Sequence, residues 1–343
     1  MAHNRWSRRR LRSESAYWRS CVLITAGHLA LFTWLGKRQK DAIALVAHFG
    51  GSPVGWEIFC NALCAMGLLR KRGKKYANSA FSLRRLVGSD ASFLLPEYDA
   101  WKRWGGLASA LQSGKRPKTH KPFFSDRNEA RRLLDALHLD GQEIAPHLIE
   151  KLPLNRSRTL LDIGGGLGAF SIAFCRRYAK LQATLVEHPR IVTLARRAIA
   201  QAGLSKRISV VGMNFARQDL PRGFDTVYVS NILHSQSVDE NRSLLWKIRN
   251  CLNPDGYLIV RDVFMSRDRI APEWATLFSV ALFLYTPNGR CYALDEILGW
   301  LREAGFSKLK GPFPSSRLAF DPNSILIAKT ALSELFHSPA TRY

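Results

Sequence analysis

The sequence predicts an α/β C-terminal half built on a doubly wound parallel sheet with an antiparallel end, preceded by a helical, winged-helix-like N-terminal half. Three observations predict this. From residue 158 onward, short apolar runs alternate with helix-length segments. A glycine-rich turn follows the first of those runs. Before residue 139, apolar residues recur instead at spacings of three and four, the period of an amphipathic helix.

In the N-terminal half, CVLITAGHLALFTWL (21–35) and DAIALVAHF (41–49) read as helices. Gly50, Gly51, Ser52 and Pro53 form a loop before a third helix, GWEIFCNALCAMGLL (55–69). Ile58, Leu63, Met66 and Leu69 are expected on its apolar face. RKRGKKYANS (70–79), centred on Gly73, reads as a basic hairpin, and helices followed by such a hairpin make a winged-helix arrangement. Residues 112–128, rich in Lys and Pro, read as a connecting loop.

In the C-terminal half, TLLDI, ATLVE, RISVVG, DTVYVS, YLIVRDVF and SILIAKT are nearly continuous apolar runs, as expected of strands covered on both faces. KLKGPF and SILIAKT are separated by only a short polar stretch, which predicts an antiparallel terminal pair.

The 343 residues are 46% hydrophobic and 23% charged, which excludes a disordered chain and allows two cores. Lys and Arg number 51 against 27 Asp and Glu, a formal charge of +24. The basic clusters are Arg5, Arg8, Arg9, Arg10 and Arg12, then residues 70–75 and 115–121. Such a balance suits nucleic acid, membrane headgroups or a polyanionic substrate, or else a solvated surface. The six cysteines, at 21, 60, 64, 175, 251 and 291, offer no paired zinc-ligand spacing and are expected to be reduced in a cytoplasmic protein. The apolar stretch 21–35 is too short to span a bilayer and reads as a buried helix. Peripheral membrane contact through the basic leader stays open.

The segment that carries most information is Leu160-Leu161-Asp162-Ile163-Gly164-Gly165-Gly166-Leu167-Gly168-Ala169-Phe170. A strand enters a glycine turn and a helix follows, so a ligand can approach the backbone where no Cβ stands. Taken alone, the string also fits a dinucleotide pattern. Asp162, two residues before Gly164, is placed to organise a bound amine or water. Glu187 closes the next strand at the spacing where an acid bonds a ribose diol.

In this combination the segment resembles motif I of class I S-adenosylmethionine-dependent methyltransferases. The resemblance extends through residues 207–221, through SNILHSQSVD (230–239) and through LNPDGYLIVRDVF (252–264). Together with the winged-helix-like leader, the chain is similar to the small-molecule O-methyltransferases. That family includes plant caffeate and hydroxyindole enzymes and bacterial polyketide, carotenoid and bacteriochlorophyllide methyltransferases.

The resemblance implies a Rossmann-like methyltransferase sheet, S-adenosylmethionine as cofactor and a homodimer formed by the N-terminal halves. It divides the chain into a basic leader (1–16), a dimerisation domain (17–111), connecting helices and loop (112–157), a catalytic domain (158–332) and a tail (333–343). It places Asp162, Gly164, Gly166, Glu187, Met213, Asn214 and Ser230 on the cofactor, and His234 at the catalytic position. There are departures. Gly212-Met213 stands for the usual Gly-Asp, which removes the acidic contact to adenine. Ser230 stands where plant members carry Lys. Residues 288–292 stand for a Gly-x-Glu-Arg-Thr string, so the acid there that would orient the base is missing.

Methyl transfer from a sulfonium is an in-line displacement, and the enzyme mainly aligns the partners and excludes water. A hydroxyl acceptor must also lose a proton, for which histidine is suited near neutral pH. His234 falls at the C-terminal end of its strand, the ligand-binding edge of an α/β sheet, and Asp262 ends the next strand, where it is placed to orient the imidazole. Trp274, Phe278, Leu282, Phe283 and Tyr285 are expected to line an acceptor pocket for an apolar or aromatic small molecule. No metal is called for. The alternatives are carbon methylation of a tetrapyrrole-like substrate, a winged-helix DNA-binding protein, or a cofactor binder without transfer. The third helix carries few side chains able to read base edges, which argues against nucleic acid.

Overall fold

In the computed structural model, which describes residues 16–88, 94–114 and 127–330, helix Ala16–His28 stops where Ala30 takes a left-handed backbone, φ 51°. A short helix, Leu31–Leu35, restarts the chain and buries Leu31, Phe32 and Leu35. The single helix expected over 21–35 is therefore two. The first strand of the N-terminal unit, β1 (Lys40–Asp41), leads directly into helix Ala42–Phe49, which Asp41 caps by accepting from the Ala44 amide at 2.9 Å. Helix Pro53–Ala65 starts on a Ser52 cap with proline at the first turn.

The basic hairpin is β2 (Leu69–Arg72) and β3 (Lys75–Asn78), and β1 joins it to give the antiparallel order β1-β3-β2. Helices and this small sheet are the winged-helix arrangement. The strand β1 has only two polar residues, so no alternation marked it. Asn78 is buried and its amide donates to the carbonyls of Phe32 and Gly36, tying the hairpin to the second helix.

The expected apolar face of the third helix needs correction. Ile58 is 67% exposed, Met66 is the C-cap and Leu69 belongs to β2. The helix ends at Ala65, and its buried face runs through Cys60 and Leu63. All six cysteines are free. Burial pushes the Cys60, Cys251 and Cys291 thiols up to about 12, so they stay protonated and inert.

The described residues divide into two compact units, 16–88, 94–106 and 127–136 in one and 107–114 with 137–330 in the other. Helix Arg127–Ile149 contributes to both. The basic leader, most of the connecting loop with its Lys115–Lys121 cluster, and the tail lie outside the described residues. Among the described residues no single helix is long and apolar enough to cross a membrane.

The second unit is the expected doubly wound sheet. Its strands are β4 (Thr159–Ile163), β5 (Gln182–Glu187), β6 (Ile208–Gly212), β7 (Phe224–Ser230), β8 (Leu252–Asp262), β11 (Phe306–Pro314) and β12 (Ser324–Thr330), in the order β11-β12-β8-β7-β4-β5-β6. Strands β4 to β8 are parallel, while β12 runs antiparallel to both β8 and β11. Each face is sealed by its own core. One gathers Leu161, Val227, Leu258 and Trp300, the other Leu160, Phe174, Leu185 and Ile259. Two-residue strands β9 (Phe264–Met265) and β10 (Tyr292–Ala293) pair in parallel beyond the edge of the main sheet. The strand order reverses between β4 and β7, which opens a crevice at their C-terminal ends.

Candidate active site

Strand β4 ends in Asp162 and Ile163, and the chain then turns through Gly164, Gly166 and Gly168 at φ 67°, 58° and 85°. These are left-handed conformations that favour glycine. The turn is also packed too tightly for a side chain. A Cβ at Gly164 would collide with Ile232 Cδ1, and one at Gly165 would meet Asp162 Oδ2 at 2.6 Å. Helix Ala169–Arg177 begins at once, so its free N-terminal amides face the crevice.

Two buried acids flank this turn. Asp162 accepts a 2.6 Å bond from the Ser171 hydroxyl. Burial pushes its carboxyl up to about 7, opposed by Ser171 and reinforced by nearby Glu187. Glu187, last in β5, accepts from the Gly166 amide at 2.9 Å and the His188 amide at 2.7 Å. Burial raises its carboxyl too, held back by those two amides. A glycine cradle between two acids on adjacent strands fits S-adenosylmethionine, a cation that also carries a ribose diol. Met213, at the end of β6, is buried, and its amide donates to the Glu187 carbonyl at 3.0 Å. Asn214 is exposed and spends its side-chain oxygen on the Ala216 amide.

The second half of the site is the turn after β7. Residues Leu233–Ser235 form a single 3-10 turn, and a Ser237–Glu240 capping box starts the next helix, Val238–Cys251. This locks the turn from its far side. His234 is buried, and its Nδ1 lies 2.6 Å from Asp262 Oδ1. The same carboxylate accepts from the amides of Leu233 and Val263 at 3.1 and 2.8 Å. The His234 amide lies 3.4 Å from it as well, so four polar groups surround Asp262 and hold it against the ring.

The altered segment 288–292 still supports the turn, but through packing. A Cβ at Gly289 would lie 2.5 Å from the His234 carbonyl oxygen, and the Tyr292 hydroxyl donates to the Gln236 carbonyl. Arg290 pairs with Glu296 at 3.2 Å and does not replace the missing acid.

Helix Glu273–Tyr285 supplies rings beside His234. Phe278 meets the imidazole edge-on at 5.1 Å between centroids, and Trp274 lies 4.8 Å beyond Phe278. Trp274 is 48% exposed, so the rings lead from the surface to the imidazole. Leu282 is buried beside Val263 and Met265. Phe283 follows Phe278 by five residues, about 140° round the helix, and is turned off the His234 face. The structure thus brings Trp274 and Phe278 together with His234, but not Phe283.

One group escaped the sequence reading. Arg261 is 2% exposed inside β8 and pairs with Asp321 at 2.5 Å, while its Nη1 donates to the predicted cofactor residue Ser230 at 3.1 Å. A signal was present, since a charged residue within the apolar run YLIVRDVF requires a buried partner.

Comparison with known proteins agrees with this geometry. The O-methyltransferase domain family matches residues 116–307, more than half of the chain. The 3-hydroxy-5-methyl-1-naphthoate 3-O-methyltransferase of Streptomyces sahachiroi is 28% identical over 85% of this chain and 87% of its own length. The tetracenomycin polyketide synthesis 8-O-methyl transferase TcmO of Streptomyces glaucescens is 27% identical over 88% of this chain and 91% of its own. The solved structure of PigF with SAH superposes with a TM-score of 0.84 at 22% identity, covering 95% of this chain and 100% of that one. The glycine cradle, the acid-held histidine and the matched sequence converge on one assignment: this chain belongs to the O-methyltransferase domain family and is an S-adenosylmethionine-dependent methyltransferase.

Proposed function

We propose that the enzyme methylates a hydroxyl of an aromatic small molecule, with His234 as the base. The observation that carries this reading is the Asp262-held imidazole facing the Phe278 and Trp274 rings. With Nδ1 bonded to Asp262, Nε2 is the nitrogen free to take the acceptor proton, and the carboxylate offsets the charge that then develops on the ring. Phe278 and Trp274 hold a planar acceptor by its faces and edges and exclude water from the path. The relatives named for naphthoate and tetracenomycin methylation support an aromatic acceptor.

The cofactor, when bound, supplies an electrophilic methyl group on sulfur. In this reading Gly164 and Gly166 let it lie against the backbone, Asp162 faces its cationic portion and Glu187 accepts from its diol. Met213 and Ser230 flank it from the ends of β6 and β7. Asn214 has its side chain engaged locally and contributes backbone at most. A homodimer also belongs to this reading, supported by the exposed Ile43, Val54, Ile58 and Phe81 of the N-terminal unit. Reduced cysteines support a cytoplasmic setting, and the basic leader supports transient contact with a membrane surface.

The test is transfer of label from methyl-labelled S-adenosylmethionine to a panel of hydroxynaphthoates and other phenols, using wild type and His234→Gln. Oxygen-methylated product that falls at least a hundredfold in the variant is the expected result, within the range for a lost general base. Product methylated on carbon, or transfer that ignores the substitution, overturns the reading.

A further inference from the structure

The buried guanidinium of Arg261 joins the end of β7, the helix after the glycine loop and the connection between β11 and β12. Its Nη1 donates to Ser230 Oγ at 3.1 Å, at the exact point where β7 gives way to the His234 turn. Its Cζ lies 5.3 Å from the ring centroid of Phe170, the second residue of the helix that follows the glycine loop. Its Nη2 pairs with Asp321 at 2.5 Å and its Nε donates to Ser315 Oγ at 3.2 Å, both in the connection between β11 and β12. The backbone works in the same direction. The Arg261 carbonyl accepts from the Asn231 amide at 2.9 Å, and the next residue is Asp262.

Asp321 is itself fully engaged. Besides Arg261, it accepts from the Asn323 amide and side chain at 3.2 and 2.9 Å and from the Ser315 hydroxyl. Burial alone would raise its carboxyl, but Arg261 and then these partners hold it below the usual range. A buried ion pair is a poor way to gain stability, because desolvation consumes most of the attraction. What the fork of Arg261 supplies is direction, since its planar donors fix several partners in one geometry.

We propose that Arg261, anchored by Asp321, is a positioning residue for methyl transfer, holding the His234 turn in register with the glycine loop. In-line displacement tolerates little misalignment, and a shift of about 1 Å costs on the order of a hundredfold in rate. The proposal rests on His234 being the base of the preceding section.

The test uses the full-length protein and three variants: Ser230→Ala, Arg261→Lys and the double variant Arg261→Met with Asp321→Leu, which removes both buried charges together. S-adenosylhomocysteine affinity is measured by calorimetry. The Asp262-bonded ring proton of His234 is followed by NMR in histidine-labelled protein. Methyl transfer to a hydroxynaphthoate probe gives kcat, KM and the pH profile. The expected result in the double variant is a folded protein that binds S-adenosylhomocysteine within about threefold of wild type. Its His234 signal is shifted or broadened, its kcat falls about a hundredfold with little change in KM, and the acid limb of its pH profile moves. Ser230→Ala shows a weaker shift of the His234 signal together with lower S-adenosylhomocysteine affinity, because Ser230 also flanks the cofactor, and the His234 signal of Arg261→Lys falls between.

A native His234 signal with wild-type kcat and pH profile in the double variant overturns the proposal, leaving the pair as core filling. If that variant fails to fold, Ser230→Ala decides alone. There, an unmoved His234 signal overturns the strut whatever the S-adenosylhomocysteine affinity does. A probe that wild type does not methylate counts against the acceptor reading, while the His234 signal still decides the role of Arg261.

Discussion

Nδ1 of His234 and Oδ1 of Asp262 lie 2.6 Å apart, although 28 residues separate them in the chain. They meet because β7 and β8 are parallel neighbours, with Ser230 in register with Arg261. Both strands therefore deliver their next residues to the same edge of the sheet. The carboxylate selects the tautomer with its proton on Nδ1 and leaves Nε2 as the nitrogen without a proton. An amide at position 262 has nearly the same shape but stabilises the imidazolium poorly. Asp262→Asn is expected to lower kcat by about a hundredfold to ten-thousandfold, the span of general-base contributions, while cofactor affinity measured by calorimetry stays near wild type.

Asp162 predicts a pH effect on stability. Its carboxyl is raised to about 7 by burial, so the fold favours the neutral form. That contribution is fully present below the pKa of an unfolded aspartate, about 4, and is lost as pH rises through about 7. Melting temperatures of the cofactor-free protein and of Asp162→Asn, taken between about pH 4 and pH 8, should diverge in favour of the variant as pH rises. S-adenosylmethionine, a cation, favours the ionised carboxyl, so its affinity for wild type should rise over the same window and be flat in the variant. Parallel affinity curves would remove Asp162 from the cofactor site.

Gly289 has no room for a side chain. A Cβ there would press on Thr286 Oγ1, on the His234 carbonyl oxygen at 2.5 Å and on Ser235 Cα at 3.1 Å. Gly289→Ala should cost about 1–3 kcal/mol of stability through overpacking and should lower kcat disproportionately, because the displaced atoms belong to the catalytic turn. Thermal melts and initial rates measured on the same preparation separate the two effects.

The two acceptor-side rings should behave differently. Trp274 is half exposed, so Trp274→Ala should change stability by no more than about 0.5 kcal/mol. Loss of an aromatic contact worth about 0.5–1.5 kcal/mol should raise the acceptor KM about two- to tenfold. Phe278 packs against Val263, Met265 and Leu282. Phe278→Ala should therefore cost about 1–3 kcal/mol of stability as well as raising KM. Equal effects in the two variants would mean that the rings do not form a path to His234.

Much of this was legible before any coordinate was known. The parallel sheet follows from apolar runs that lack alternation, the antiparallel end from the short gap before SILIAKT, and the hairpin from Gly73 among charged residues. Glycines beside Asp162 mark a ligand turn because few other sequences tolerate that backbone. All of these are local signals, carried by residues near one another in the chain. The errors were local as well. The break at Ala30 and the exposure of Ile58 depend on which helix faces already have neighbours, which periodicity does not report.

Pairings across long separations are another matter. The bond from the Gly166 amide to the Glu187 carboxylate, the hold of Asp262 on His234 and the burial of Arg261 against Asp321 each join residues on different elements. A hydrogen bond between distant residues leaves no spacing to read, because its geometry depends on strand order and register. The residue types announce the chemistry of the site, whereas the packing of β4, β5, β7, β8 and the β11–β12 connection selects which groups meet and which nitrogen of His234 is left to act.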